Sequence, residues 1–226
     1  MEFRNEIKYN CSELEWNIIK ERLSHCMRFD EHAGDNNEYR IRSLYFDDYF
    51  NTAFYDNDAG VRNRRKFRIR VYDDVKSRIQ LEVKYKVHGK TRKESCKLTL
   101  EECEKLMYGE IPEFREDMPL PLKHMYYEMS TRLLRPRIII EYERCAYVEP
   151  VGNVRITFDK NISYSNHISD FLEDKIPLTP LLETGQHVLE VKYDEFLPAY
   201  IAQAMEIKTL KRTSFSKFYL SCIKAN

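Results

Sequence analysis

The sequence predicts an α+β fold: a closed, eight-stranded antiparallel β-barrel with helices around it. Three observations carry that prediction. Eight stretches read as extended and are joined by turns or helices; several of them divide into one charged and one apolar face; and amphipathic helices are available to cover the apolar faces. A sheet of eight strands can close on itself, and the charged faces would then line the interior.

The first strand spans 2–9, where Glu2, Arg4, Glu6 and Lys8 alternate with Phe3 and Ile7. A helix over 12–24 follows from Ser12 as N-cap with Glu15 three residues on, and from Leu14, Ile18 and Leu23 near one face. Strands come next at 38–47 and 63–72. The latter holds RRKFRIRVY, with cations at 64, 66, 68 and 70 and with Phe67, Ile69 and Val71 in the gaps, so a cationic row backs onto an apolar one. Asp73-Asp74 and His88-Gly89 mark tight connections around strands 79–86 and 90–98, and Glu82, Lys84 and Lys86 alternate with Leu81, Val83 and Tyr85. A helix over 100–108 starts behind Thr99 with Glu101, Glu102 and Glu104 in its first turns, and another is expected around 121–133. The strand at 136–147 is mixed, with Glu141 and Glu143 on one side and Arg144 on the other. Beyond the turn at Pro150 and Gly152, strand 153–159 sets Arg155, Thr157 and Asp159 against Val154, Ile156 and Phe158. The segment 161–186, with Pro177 and Pro180, reads as a long irregular loop that gates or lines a tunnel mouth. The last strand, 187–193, sets Glu190 and Lys192 against Leu189, Val191 and Tyr193, and helices follow near 197–207 and 215–224.

The 226 residues, 42% hydrophobic and 13% aromatic, suffice for one sizeable core, and 1–226 is read as a single domain. The 37 basic and 37 acidic residues cancel, so a generally polyanion-binding surface is not indicated and any basic site is local. Nucleic-acid binding would need a basic exterior with exposed aromatics and is not expected. Six cysteines without a CxxC pair, and an N-terminus without a signal-peptide pattern, predict free thiols and a cytoplasmic location. No apolar run approaches the roughly 20 residues that span a bilayer. Like charges stacked on inward faces repel one another, so the interior predicts an anionic guest.

Eight short motifs occur in order: Glu6-Ile7-Lys8-Tyr9, Ser43-Leu44-Tyr45-Phe46-Asp47, Arg68-Ile69-Arg70, Leu81-Glu82-Val83-Lys84, Tyr142-Glu143-Arg144-Cys145-Ala146-Tyr147, Val154-Arg155-Ile156-Thr157-Phe158-Asp159, Leu189-Glu190-Val191-Lys192-Tyr193 and Ser214-Phe215-Ser216-Lys217. Together they resemble the triphosphate tunnel metalloenzymes, and within them the polyphosphate-polymerase domain of the vacuolar transporter chaperone (VTC) proteins, over nearly the whole chain. The resemblance implies a tunnel in which basic side chains grip a triphosphate or polyphosphate and acidic ones hold a divalent metal. Residue by residue, it implies a catalytic set of Arg68, Arg70, Lys84, Arg144 and Arg155, and a phosphate-binding set of Lys8, Lys93, Lys192, Ser216 and Lys217. Arginine's planar fork suits phosphate oxygens, and lysine adds a compact point charge. Glu190, with Glu6 and Glu82, would hold Mn²⁺ or Mg²⁺, the ions an oxygen-only donor set favours. Lys93 competes for its role with Arg92, which faces the other way; Tyr45 and Phe46 read as packing, Glu143 as structural, and Asp47 and Asp48 stay outside the site.

The implied reaction is metal-dependent transfer of the γ-phosphate of ATP, or of another nucleoside triphosphate, to a growing inorganic polyphosphate. The alternatives are a tunnel triphosphatase hydrolysing tripolyphosphate or a nucleotide, and a non-catalytic polyphosphate- or nucleotide-binding module. In the family's eukaryotic members the domain is joined to an inositol-phosphate-sensing domain and to membrane helices, neither of which these residues hold. The expected partners are therefore the nucleotide and polyphosphate, with no nucleic acid, no membrane span, and a membrane-protein partner left open.

Overall fold

The computed structural model describes residues 3–30 and 37–225, so Glu2 of the first predicted row lies outside the described residues. β1 (Asn5–Ser12) runs directly into α1 (Glu13–Ser24), because Ser12 ends the strand and caps the helix. Its hydroxyl accepts from the Glu15 N–H, and the Glu15 carboxylate accepts from the Ser12 N–H. Then come β2 (Arg28–Phe29), β3 (Glu38–Asp47), α2 (Thr52–Asp58), β4 (Arg64–Tyr72), β5 (Gln80–Val87) and β6 (Lys90–Lys97). The β5–β6 turn sets His88 at φ 47° and Gly89 at φ 85°, the paired positive angles of a two-residue hairpin loop. α3 (Leu100–Met107) starts in a second capping box, Thr99 with Glu102, and is followed by α4 (Leu120–Arg132) and β7 (Arg135–Glu149). The chain ends through β8 (Val154–Ser165), β9 (Thr179–Pro180), β10 (Gln186–Tyr193), α5 (Ala199–Ala204), β11 (Lys211–Thr213) and α6 (Lys217–Ala225).

All strands pair antiparallel in one eleven-stranded sheet, with the path β11-β1-β10-β8-β7-β3-β4-β5-β6 and with β2 on β7 and β9 on β8. The eight strands read from the sequence are all present, and β2, β9 and β11 are additions. Closure is corrected: the ladder is open. β1's side of the sheet meets β6 at one bridge, Arg4 opposite Thr91, where each N–H donates to the other's carbonyl at 2.9 Å. The reason lies in β11, which occupies the free edge of β1 from Lys8 to Asn10 and leaves only its leading end to face β6. The result is a curled sheet of eleven strands instead of a closed barrel of eight.

Alternation sorts the side chains as the sequence implied. The outer faces of β3 to β6, including Leu44, Phe67, Ile69 and Leu81, are buried with residues of α3 and α4. Those of β7, β8 and β10, including Tyr147, Phe158 and Leu189, are buried with residues of α1 and α5. α6 departs from the expectation that helices surround the sheet. It lies on the concave face, where Phe215, Phe218 and Cys222 pack with Ile138, Ile140 and Val188. Those three strand positions carry apolar side chains inward, and an apolar cover removes them from water.

The segment 161–186 is also corrected. β8 extends through its first residues, Phe171 and Leu172 are buried in the outer core, and Arg42 donates to the carbonyls of Phe171 and Asp174 at 2.9 and 3.2 Å. None of its residues lines the tunnel described below. Its anchors divide between the two faces: Phe171 and Leu172 are buried in the outer core, while Ile162, Tyr164 and Leu181 are buried with residues of α6 on the concave face.

Candidate active site in a cationic tunnel

Two cavities, of about 510 and 530 Å³, occupy the concave side of the sheet. They share Glu6, Arg68, Arg70, Lys84, Thr91, Arg144 and Lys192 as lining, and are therefore the two halves of one passage. The first half also meets Asn57 of α2 and the Ser214–Phe218 stretch at the start of α6; the second meets Tyr39, Arg78, Asn153 and Arg155.

Eleven lysines and arginines line the first half against two carboxylates, Glu6 and Glu190. Some of these cations are neutralised from behind. Arg68 donates to Glu82 through Nε at 2.7 Å and to the Tyr45 hydroxyl at 2.9 Å, Lys93 donates to the other Glu82 oxygen at 2.7 Å, and Arg70 stands 3.7 Å away. Burial pushes the Glu82 carboxyl up, but Arg70, Arg68 and Lys93 hold it well below the usual range. Glu82, read from the sequence as a metal ligand, is fully buried, lines neither half and is enclosed by Arg68, Arg70 and Lys93. Arg144 forms a bidentate pair with Asp159 at 2.6 and 2.8 Å, and Lys217 reaches the same carboxylate at 2.5 Å. Nearer the axis, Lys84 lies 2.7 Å from Glu6 and Lys192 2.5 Å from Glu190, while Lys8 bridges the two acids at 3.4 and 3.3 Å. Burial and Glu190 push the Glu6 carboxyl up, and Lys84, Lys8 and Lys192 outweigh them; Glu190 is held down in the same way by Lys192, Lys8 and Lys84.

Lys66 is different. Its ammonium donates to Asn57 Oδ1 at 2.8 Å and to Ser216 Oγ at 3.1 Å, and has no carboxylate partner among the described residues. Burial, then Arg64, Lys8 and Lys84, push it well below the ordinary lysine value. Across the β4–β5 ladder Arg64 stands opposite Lys86 and Lys66 opposite Lys84, and like charges directly opposed destabilise a sheet. Lys86 is lowered by burial and by Arg64. Hydroxyls add to this. Tyr45 accepts from Arg68, Tyr142 accepts from Arg70 at 3.3 Å, and Ser216 accepts from Lys66, so each keeps its own O–H to give. A wall of donors and unpaired cations is complementary to an acceptor-only ligand of several negative charges.

This arrangement makes Lys66→Met a clean test. Removing a half-buried ammonium that has no carboxylate partner among the described residues is expected to raise the melting temperature of the ligand-free protein while lowering tripolyphosphate affinity by about tenfold, one charge-assisted contact being worth roughly 1.5–3 kcal/mol. Thermal melts and titration calorimetry read both; a destabilised variant with intact affinity would remove Lys66 from this role.

Of the residues read from the sequence, Lys8, Arg68, Arg70, Lys84, Arg144, Lys192, Glu6, Glu190, Ser216 and Lys217 line the first half together. Lys93 and Arg155 line only the second, where Arg155 donates to Asp30 and to the Tyr39 hydroxyl. Arg92 also lines the second half, but its guanidinium lies over the rings of Phe3 and Tyr85. Arg64, Lys66, Lys86 and Asp159 were left out of the site although they share the inward row of chosen neighbours, and strand alternation alone would have included them. Tyr45, read as packing, does stack on Phe218 but also turns its hydroxyl to Arg68. Asn57 and Arg212 reach the passage through tertiary structure alone. Asp47 and Asp48 stay outside and accept backbone N–H groups at the start of α2.

Among the described residues no group of three or more His, Cys, Asp or Glu is placed to hold a metal ion. The Glu6 and Glu190 carboxylates are paired with lysines instead: Lys84 with Glu6, Lys192 with Glu190, and Lys8 between the two.

A curled antiparallel sheet with a cationic, hydroxyl-rich passage on its concave side defines a tunnel fold. The chain belongs to the VTC domain family, whose model matches residues 3–225. Among solved structures it is similar to HpAC1 of Hippeastrum, a candidate adenylyl cyclase described as having a dominant triphosphatase activity. The two share 13% identity over 98% of this chain and 96% of that one, with a TM-score of 0.53. The PH1819 protein of Pyrococcus horikoshii aligns with 12% identity over 98% of each chain and a TM-score of 0.48. No curated protein sequence matches the chain. No helix among the described residues is long and apolar enough to cross a membrane.

Proposed function

We propose that this protein is a metal-dependent polyphosphate polymerase that transfers the γ-phosphate of ATP to a polyphosphate chain in the tunnel. The observation that carries this reading is the unpaired set around Lys66, which needs an anion of high charge density. Membership of the VTC domain family supports the phosphate chemistry.

Phosphoryl transfer asks for positioning and charge neutralisation more than for covalent chemistry. Glu82 and Asp159 lock Arg68 and Arg144 in orientation, so their remaining N–H groups are pre-aimed at phosphate oxygens. Lys66, Lys84 and Lys192 add charge where the transferred group becomes more anionic. Glu190 with Glu6 would hold the divalent ion, which when bound neutralises phosphoryl oxygens. The terminal phosphate of the acceptor is already ionised, and no general base is assigned.

Incubation of the protein with γ-labelled ATP and Mn²⁺ or Mg²⁺, with and without a short polyphosphate primer, tests this directly. Lengthening ladders on a gel are expected. Free phosphate without ladders would replace the polymerase with a triphosphatase, the reading favoured by the activity described for the Hippeastrum protein. Tight ATP binding without product would leave a binding module.

Proton uptake provides a second check. Lys66, Lys84, Lys86 and Lys192 all lie below 10.5 in the free protein, burial being the leading cause in each. An anion that restores their charge takes up protons, so tripolyphosphate affinity is expected to fall as pH rises from those depressed values toward 10.5. The folded protein itself binds fewer protons than the unfolded chain in that window, so its ligand-free stability from these groups rises over the same range. Calorimetry in buffers of different ionisation enthalpy should show net uptake; identical heats would contradict it.

A further inference from the structure

The sheet is open along one line, the seam between β1 and β6. β1 pairs with β10 along its whole length, from Asn5 opposite Tyr193 to Ser12 opposite Gln186, yet its side of the sheet meets β6 through the single Arg4–Thr91 bridge. Thr91 stands two residues past Gly89, so the bridge holds only the tip of the β5–β6 hairpin. The other side is anchored: the Arg4 guanidinium donates to Asp194 at 2.9 Å and to the Asn153 carbonyl. The outer edge of β6 from Lys93 to Lys97 pairs with no strand among the described residues.

Inside the tunnel, among the described residues, one ion pair crosses the seam, Lys84 of β5 to Glu6 of β1 at 2.7 Å, and Thr91 Oγ1 donates to the same carboxylate at 3.4 Å. Lys84 and Glu6 both line the passage. A polyanion in the tunnel therefore competes with Glu6 for Lys84 and takes away one of the contacts that fasten the seam, leaving the two Arg4–Thr91 backbone hydrogen bonds and the Arg92 guanidinium over the Phe3 ring. A latch that its own ligand loosens, set at a hairpin tip and anchored on one side only, is suited to opening sideways.

We infer that the β5–β6 tip swings away from β1 and admits the interior of a long polyanion chain laterally, so that the ligands of this tunnel include chains with no free end. Entry through the mouths alone would require an end to thread. The inference rests on the polyanion reading of the tunnel and extends it from chain ends to internal segments.

The double variant Arg4→Cys, Thr91→Cys tests it, because directly opposed residues of an antiparallel pair stand within the Cα range of a disulfide. The probe is long polyphosphate carrying a bulky protein-sized cap at both ends; tripolyphosphate is the control, and wild type goes through the same oxidation. The reduced variant is expected to bind the doubly capped chain, and oxidation to weaken that binding by about tenfold or more, while oxidation changes the same variant's tripolyphosphate affinity, whatever its value relative to wild type, by less than about twofold. The inference is overturned if the reduced protein binds tripolyphosphate but not the capped chain, or if the sealed protein binds the capped chain equally well. Failure of tripolyphosphate to bind in either state would instead remove the polyanion reading beneath it. Thr91→Pro, which deletes the bridging N–H, needs no cross-link: it is expected to speed capture of the capped chain several-fold, and unchanged or slower capture would overturn the inference.

Discussion

Glu190→Gln is expected to retain tripolyphosphate binding and lose metal-dependent turnover by a factor on the order of 100, the scale set by removal of one charge-stabilising group from an active site. Glu190 is buried, lies 2.5 Å from Lys192 and 3.3 Å from Lys8, and is held ionised by them against the cost of burial. Glutamine keeps the shape and removes the charge. The tunnel gains one net positive charge, so phosphate affinity without metal is expected to hold or rise. Lys192 loses its counter-ion at the same time and Lys8 one of its two, so the ligand-free variant should melt lower than wild type and recover when tripolyphosphate is added. Calorimetry without metal, followed by turnover with Mn²⁺, separates the two effects. A variant with full Mn²⁺-dependent activity would take Glu190 out of the metal site.

Asp159→Asn is expected to cost about 3–5 kcal/mol of stability, because it leaves two buried cations, Arg144 and Lys217, without their shared carboxylate. For a chain of this size that corresponds to a fall of roughly 10 °C in melting temperature. The penalty has a defined pH dependence. Burial raises the Asp159 carboxyl, Arg144 and Lys217 more than reverse this, and the group sits at about 2 instead of 3.8. Its contribution is therefore complete above about 4 and is lost as pH falls through about 2, so wild type and variant should converge in strong acid. Melts at pH 7 and pH 2 read this; an equal gap at both would mean that the stabilisation is not electrostatic. Activity at permissive temperature should also fall, since Arg144 loses the bidentate contact that aims it.

Much of the tunnel wall was legible in the chain because strand alternation is a local rule. Once Arg68 and Arg70 face inward, so do Arg64 and Lys66, and the same holds along β5 and β8. Which of these cations are silenced was not legible. Glu82 and Glu190 look alike in Leu-Glu-Val-Lys and Leu-Glu-Val-Lys-Tyr, yet one is enclosed by Arg68, Arg70 and Lys93 and the other lines the passage. That difference comes from which strands lie beside them.

By itself the sequence determined the eight principal strands, the face each residue takes outside the mixed strand 136–147, the capped starts of α1 and α3, and a strongly basic interior. These follow from the period of two and from capping chemistry. Only the tertiary structure decided that β11 displaces β6 from most of β1, that α6 lies inside the sheet, that 161–186 packs on both the outer and the concave cores, and that Lys66 has no carboxylate partner among the described residues. Each of those depends on which distant segments compete for one edge, one apolar face or one charge, and that competition is settled by packing across the whole chain.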